Sequence, residues 1–272
     1  MKPTIALRIE VPGYRACATL PALIALLQSQ EAGASFLFGL SNDWLGRSPA
    51  RHARSLLEQV PAAGFDTGIF GWQPSQWLKR AAAAPAVWVS EQFAQARAAF
   101  EKTFGCAPQL TAAPGWQGNP HALRLTQRLG FARASDTRGR HPFIPVWNGE
   151  IVRCPQIPVT LPTFDELAVA SGKGMADAVD ALLALTAQPP RFGHVFNLTA
   201  SRALGKAPQH FQRLLAGWRS QGYRIVSLDV FAAGFVIDQL PRHEIIFGTV
   251  PGHSRPVLLQ GDEFLSEWRT PQ

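Results

Sequence analysis

The sequence is short of residues that do chemistry in local pairs. Its three cysteines, Cys17, Cys106 and Cys154, are widely spaced and form no CxxC pair. That argues against a disulfide framework or a thiolate metal site and fits reduced thiols in a cytosolic protein. Of the seven histidines (52, 121, 141, 194, 210, 243 and 253), no two stand four apart on a helix or two apart on a strand, so local spacing builds no zinc site. No apolar run approaches the roughly 20 residues that cross a bilayer. The apolar segment "TLPALIALL" (19–27) follows a strand and is punctuated by proline, unlike a secretory signal. "GxSxG" is missing, and "SGKG" (171–174) lacks the P-loop spacing and reads as a turn before a helix. The net charge of +7 is dispersed, with no basic tail or stripe. It favours anionic partners such as phosphates or acidic headgroups, and no nucleic-acid partner is expected.

What is present is the composition of an ordinary globular protein, 46% hydrophobic and 17% charged. Strand-like runs are expected at 4–11 ("TIALRIEV"), 34–40, 66–72, 109–115, 131–137, 156–161, 193–199 and 223–229. Between them lie segments with helical apolar spacing, clearest at 90–104 (opening at Ser90), 175–187 and 208–222 (closing on Gly222). Such alternation predicts a parallel sheet, and its number of units a distorted (β/α) barrel with seven or eight strands. No linker or repeat divides the chain, so one domain over 1–272 is expected, with a C-terminal extension (about 240–272) packed on the barrel.

In parallel α/β folds the functional face lies beyond the C-terminal strand ends. The tips place there Glu10 and Pro12, residues 41–43, residues 70–74, Trp116 and Gln117, Asp136, Thr160 to Thr163, and Asn197 to Thr199. Carboxylates are few on this rim, amides and indoles plentiful. Of the eight tryptophans, Trp72, Trp77 and Trp116 fall on this face, where indoles can stack on sugar rings or simply pack. "GWQGNP" (115–120) reads as a glycine-rich turn opening a helix, with a phosphate on its N–H groups the less favoured use.

Several stretches together resemble a known family. "LRIEVPGYR" (7–15), "GIFGWQPSQW" (68–77), "AAPGWQ" (112–117), "SDTRGRHPF" (135–143), "CPQIPVTLPTFDE" (154–166) and "GTVPGHSRPVLLQG" (248–261) are similar to segments of the polysaccharide deacetylases of the NodB-homology group. More narrowly they resemble deformylases acting on 4-deoxy-4-formamido-L-arabinose-phosphoundecaprenol. The resemblance implies a distorted (β/α) barrel and metal-assisted hydrolysis of an amide on a sugar nitrogen. It also implies a divalent metal held by one Asp and two His, with a second Asp as base.

Carried over by position, the metal ligands fall on Pro12, Phe70 and Pro74, and the base on Glu10. The motif arginine falls on Gln117 and the late-strand histidine on or next to Asn197, while Asp136 is unchanged. Proline and phenylalanine side chains carry no ligand atom, so no resident metal or other cofactor is expected. General-base help from Glu10 alone is worth about 10²–10⁴-fold. The expectation is therefore a non-catalytic binder of a sugar phosphate or an undecaprenyl-phosphate-linked sugar. Glu10, Asp136, Trp72, Trp77, Trp116, Gln117, Thr160, Thr163 and Asn197 would contact the ligand, with Arg15 and Arg138 on its phosphate. A partner enzyme is also compatible with this reading. The alternative is an active hydrolase of a formamide or acetamide carbon–nitrogen bond on a sugar, with Glu10 as base and a relocated or absent metal. The resembled deformylases carry a longer segment between strands two and three. Here 41–65 has Arg47, Arg51 and Arg54 but little continuous apolar surface, so the expected location is cytoplasmic, with at most peripheral contact at the inner membrane.

Overall fold

The computed structural model describes residues 2–171, 174–204 and 208–265. In chain order the strands are β1 (Thr4–Val11), β2 (Ser35–Phe38), β3 (Asp66–Ile69), β4 (Leu110–Thr111), β5 (Arg133–Ala134), β6 (Ile144–Trp147), β7 (Glu150–Ile151), β8 (His194–Thr199), β9 (Arg224–Val226), β10 (Arg242–Gly248) and β11 (Val257–Glu263). β1 is covered on both faces, which is why it reads as an almost unbroken apolar run. Alternation sends Ile5, Leu7, Ile9 and Val11 into the layer shared with the helices. Ala6 joins the second apolar cluster, inside the curl of the sheet, with Leu37, Phe70, Leu110 and Val195. The same alternation points Arg8 and Glu10 inward.

The main sheet is parallel and curled, in the order β5-β4-β3-β2-β1-β8, with β9 pairing the first residues of β1. This is a distorted (β/α) barrel. Residues 156–161, expected as a strand, close the ring between β5 and β8 without forming a regular one. Gln156 and Val159 bridge to Ala134 and Arg138 on one side, while the Thr160 and Leu161 N–H groups donate to the Val195 carbonyl on the other. Pro155, Pro158 and Pro162 interrupt this stretch and cannot donate to a ladder. The expected strand at 109–115 is likewise only two residues long, and Pro114 turns the chain into a 3₁₀ turn at its tip.

The larger helices are α1 (Leu20–Ser29), α2 (Arg54–Ala62), α3 (Pro74–Arg80), α4 (Ala86–Phe104), α5 (Pro120–Arg128), α6 (Phe164–Ser171), α7 (Met175–Leu185) and α8 (Pro208–Ser220). α4 starts four residues before the expected Ser90, because Pro85 supplies the entry geometry, and it ends on Gly105 at φ +73°. "GWQGNP" is a plain helix start: the Asn119 side chain accepts the Ala122 N–H at 3.0 Å, with Pro120 at the first helical position. The "SGKG" turn lies partly outside the described residues. A second sheet, β11-β10-β6-β7, carries an antiparallel β10–β11 hairpin whose loop, 249–256, reaches the C-terminal rim of the barrel.

Gly68 on β3 sits where no side chain fits. A Cβ there would lie 2.6 Å from the Leu110 carbonyl oxygen and 2.8 Å from Leu37 Cδ2. Gly68→Ala is expected to lower the unfolding free energy in urea by about 1–3 kcal/mol, the usual cost of overpacking a close interior. A loss below about 0.5 kcal/mol would mean that β3 and β4 can separate freely.

Candidate functional site

A cleft of about 440 Å³ opens at the C-terminal strand ends. Glu10 and Pro12 enter it from the tip of β1, Phe70 and Pro74 from the β3–α3 turn, Trp116 from the turn after β4, and Asn197 from β8. Thr163 and Glu166 contribute from the start of α6, and Gly252 and His253 from the hairpin loop. All three positions to which the metal ligands map therefore face one cavity, together with the mapped base. Trp116 adopts φ +52°, a left-handed conformation that is costly for a bulky residue, and its buried indole N–H has no partner among the described residues.

Beneath the cleft lies a sealed charge. Arg8 is 0% exposed, and its guanidinium lies 5.8 Å from the ring centroids of both Phe70 and Trp116. Nη1 donates to Asn197 Oδ1 at 3.0 Å, and Nη2 stands 3.3 Å from Glu10 Oε1. Burial pushes the Arg8 pKa down, against the pull of Glu10 and Asp136. Burial pushes the Glu10 carboxyl up, opposed by Arg8, by a hydrogen bond with Asn197 and by the nearby His253. Asp136 is pushed up to about 6, again chiefly by burial, opposed by the Gln156 hydrogen bond and by Arg8.

A second network forms the cleft wall. Glu166 Oε2 accepts from Arg138 Nη2 and from the Thr163 N–H, both at 3.1 Å, while Oε1 stands 2.9 Å from His253 Nε2. The Thr163 hydroxyl in return accepts the Glu166 N–H at 3.2 Å, a reciprocal cap that fixes the start of α6. His253 also packs edge-on against Trp116, at 5.1 Å between ring centroids.

Of the residues picked out from sequence, Glu10, Trp116, Thr163 and Asn197 line the cleft, as do Pro12, Phe70 and Pro74. Others lie elsewhere for definite reasons. Trp77 is 2% exposed in the core against Trp88 and Phe93, its indole N–H spent on the Gln117 carbonyl at 2.7 Å. Trp72 is half-buried against the same core rather than on the cleft. Gln117 is buried and donates to the Pro256 carbonyl at 2.8 Å, fastening the hairpin loop. Asp136 lies below the floor, held by Gln156 at 3.0 Å. Arg138 is tied to Glu166 and the Leu161 carbonyl with Trp116 stacked on it, so it is not free for a phosphate. Thr160 accepts the Val195 N–H at 2.9 Å, inside the ring closure. Arg15 is exposed in a neighbouring hollow with Tyr14, Asp43 and Trp44, which meets the cleft at Pro12.

Sequence reasoning places Glu166 on the rim but misses Arg8 and His253. Arg8 had a signal: an arginine on a strand covered on both faces must be buried and paired. His253 had none, because only the hairpin brings it within reach of Glu166, 87 residues away in the chain. The buried Cys17 and Cys154 thiols are pushed up to about 12 by burial, which leaves them unreactive.

The side chains do not suit a divalent metal. Glu10 faces a buried guanidinium, Glu166 is engaged on both oxygens, and Asp165 pairs with Arg202. No group of three or more His, Cys, Asp or Glu that could hold a metal ion occurs among the described residues.

Comparison with known proteins agrees with this architecture. No protein-family model matches the sequence. A structure described as a polysaccharide deacetylase from Mycobacterium smegmatis superposes with a TM-score of 0.68 at 16% identity, covering 89% of this chain and 93% of that one. A CE4 family pseudoenzyme from Bacillus anthracis gives 0.56 at 11% identity, covering 89% and 69%. The fold is thus that of the NodB-type deacetylase barrels. In sequence, the chain is 28% identical over 209 residues to a Shewanella sediminis protein described as the deformylase ArnD, which acts on 4-deoxy-4-formamido-L-arabinose-phosphoundecaprenol. That match takes in 60% of this chain and 65% of the relative, just under two thirds of its length. The chain is thus similar in sequence to the deformylase ArnD and shares its fold with the NodB-type polysaccharide deacetylases.

Two substitutions test the buried charges. Arg8→Met strips Glu10 and Asp136 of their counter-charge and is expected to cost about 3–5 kcal/mol of stability at pH 7 by urea unfolding. A loss under about 1 kcal/mol would show that the cluster contributes nothing. Asp136 holds its proton more tightly folded than unfolded, so its contribution is full below its ordinary pKa of 3.8 and is lost as pH rises through about 6. Asp136→Asn is expected to remove about 3 kcal/mol from the fall in stability between pH 4 and 7. An unchanged slope would place that carboxyl in the ordinary range.

Proposed function

We propose that this chain is a catalytically retired member of its family that uses the cleft to bind a sugar phosphate or an undecaprenyl-phosphate-linked sugar. The observation that carries the reading is the joint placement of Pro12, Phe70 and Pro74 around one open cleft with Glu10. One lost ligand can be compensated by a neighbour; three losses at one point leave no donor set. The cleft stays open, and Trp116, Asn197, Thr163 and Glu10 supply an aromatic ring and polar groups of the kind that hold a sugar. The ligand class follows the relative's named substrate, a lipid-linked aminosugar.

A cytoplasmic location with at most peripheral membrane contact fits this reading. No helix among the described residues is long and apolar enough to cross a membrane. Trp44 is 81% exposed beside Leu45 and Arg47 near the rim, a small surface for touching anionic lipid. A partner enzyme that consumes the bound sugar is compatible with the same site.

Metal content decides between retirement and rearrangement. Protein purified without a histidine tag and soaked with zinc, cobalt or manganese is expected to hold no metal after dialysis. A variant combining Pro12→Asp, Phe70→His and Pro74→His is expected to retain about one ion per chain. Stoichiometric metal on the wild type would overturn the proposal. The alternative, metal-independent hydrolysis of a carbon–nitrogen bond, has the placement of Glu10 in its favour. Formate release from an N-formyl aminosugar that disappears in Glu10→Gln would establish it.

A further inference from the structure

The arginines at the cleft are matched. Arg8 faces Glu10 and Asp136, Arg138 faces Glu166, and Arg202 faces Asp165. Two cations just beyond its edge are not. A second hollow of about 360 Å³ adjoins the cleft and shares Leu78, Gly115, Gly252 and His253 with it. Lys79, from the last turn of α3, and Arg255, from the hairpin loop, both line it, and no carboxylate does. Neither cation has an acidic partner among the described residues. Arg255 Nη1 instead donates to the Lys79 carbonyl at 2.7 Å, which holds the two side chains' elements together. Gln117 on Pro256 and Glu166 on His253 fasten the same loop, so the hollow is built on an anchored segment.

We propose that Lys79 and Arg255 form an anion subsite that takes the phosphate of a ligand whose sugar occupies the adjoining cleft. The inference rests on the sugar-binding reading above and deepens it: the ligand is a phosphate ester, oriented with its phosphate towards the hairpin loop. A lysine and an arginine lining one hollow suit a phosphate, and the lack of a carboxylate in that lining leaves their charge uncompensated until an anion arrives. Arg15 and Arg138 do not serve this purpose, being respectively outside the cleft and already paired.

The test is titration calorimetry of the full chain with L-arabinose 1-phosphate, free L-arabinose and inorganic phosphate. Lys79→Gln and Arg255→Gln are each expected to weaken the sugar phosphate about tenfold, the loss of one charge-assisted contact, while free L-arabinose is unaffected. Arg255→Lys should restore most of the affinity, and added salt should weaken the wild type towards the variants. Both side chains are exposed, and Lys79→Gln keeps the backbone carbonyl that Arg255 uses, so the fold is not at stake. Unchanged sugar-phosphate affinity in both glutamine variants would overturn the subsite and leave sugar binding standing. Binding of inorganic phosphate that depends on Lys79 and Arg255, with no binding of L-arabinose, would keep the subsite and remove the sugar reading. No binding of any probe would remove both. A further arm uses the farnesyl phosphodiester of the same sugar. Tighter binding than the monoester identifies a lipid-linked source and weaker binding a free sugar phosphate; the subsite requires the Lys79 and Arg255 dependence in either case.

Discussion

A guanidinium sealed inside the barrel is the constraint around which the site is arranged. Moving the Arg8 charge out of water costs several kcal/mol even after relaxation, and the surroundings must offset it. They do so with the Glu10 and Asp136 carboxylates, the Asn197 amide and the faces of Phe70 and Trp116. Each of those groups is thereby given a position: Glu10 at the cleft floor, Asp136 beneath it, Trp116 in a strained backbone turn. Phe70 supplies ring surface to a buried cation. The apolar side chain at Phe70 and the packing of the floor are one feature seen from two sides.

The hairpin loop is the second element on which the site depends. The loop 249–256 lies on the barrel rim. With it, His253 meets Glu166, Arg255 meets Lys79 and Pro256 meets Gln117. These contacts join residues 87, 176 and 139 positions apart, so the cleft is assembled late in the logic of the fold, by the docking of the second sheet on the first. A recognition surface made this way can change its ligand by changing a loop, leaving the barrel intact.

Much of the fold was legible along the chain. β1 runs over the residues expected for it, because an apolar strand bounded by turn residues is a strong local signal. Residues 156–161 read as a strand from sequence because side-chain pattern says nothing of the ladder donors that prolines remove. The site was legible in outline: strand tips named Glu10, Phe70, Pro74, Trp116 and Asn197. Trp77 and Gln117 follow strand ends, which predicts the rim for them, yet a loop has no periodicity to say which way a side chain turns. Their burial was settled by α4 and the hairpin loop packing on them.

The amino-acid sequence alone determined that Pro12, Phe70 and Pro74 carry no ligand atom, since no conformation gives a proline or phenylalanine side chain a lone pair to donate. It also determined the parallel barrel, through the alternation of periods two and 3.6. Only the tertiary structure decided which charges are spent and which are free. Arg138 and Lys79 are alike on paper as basic residues near strand ends. Glu166, from a different element, neutralises the first, and no carboxylate among the described residues pairs with the second. Ion pairing depends on distances of a few ångströms between segments far apart in the chain, and those distances come into being only when the two sheets meet.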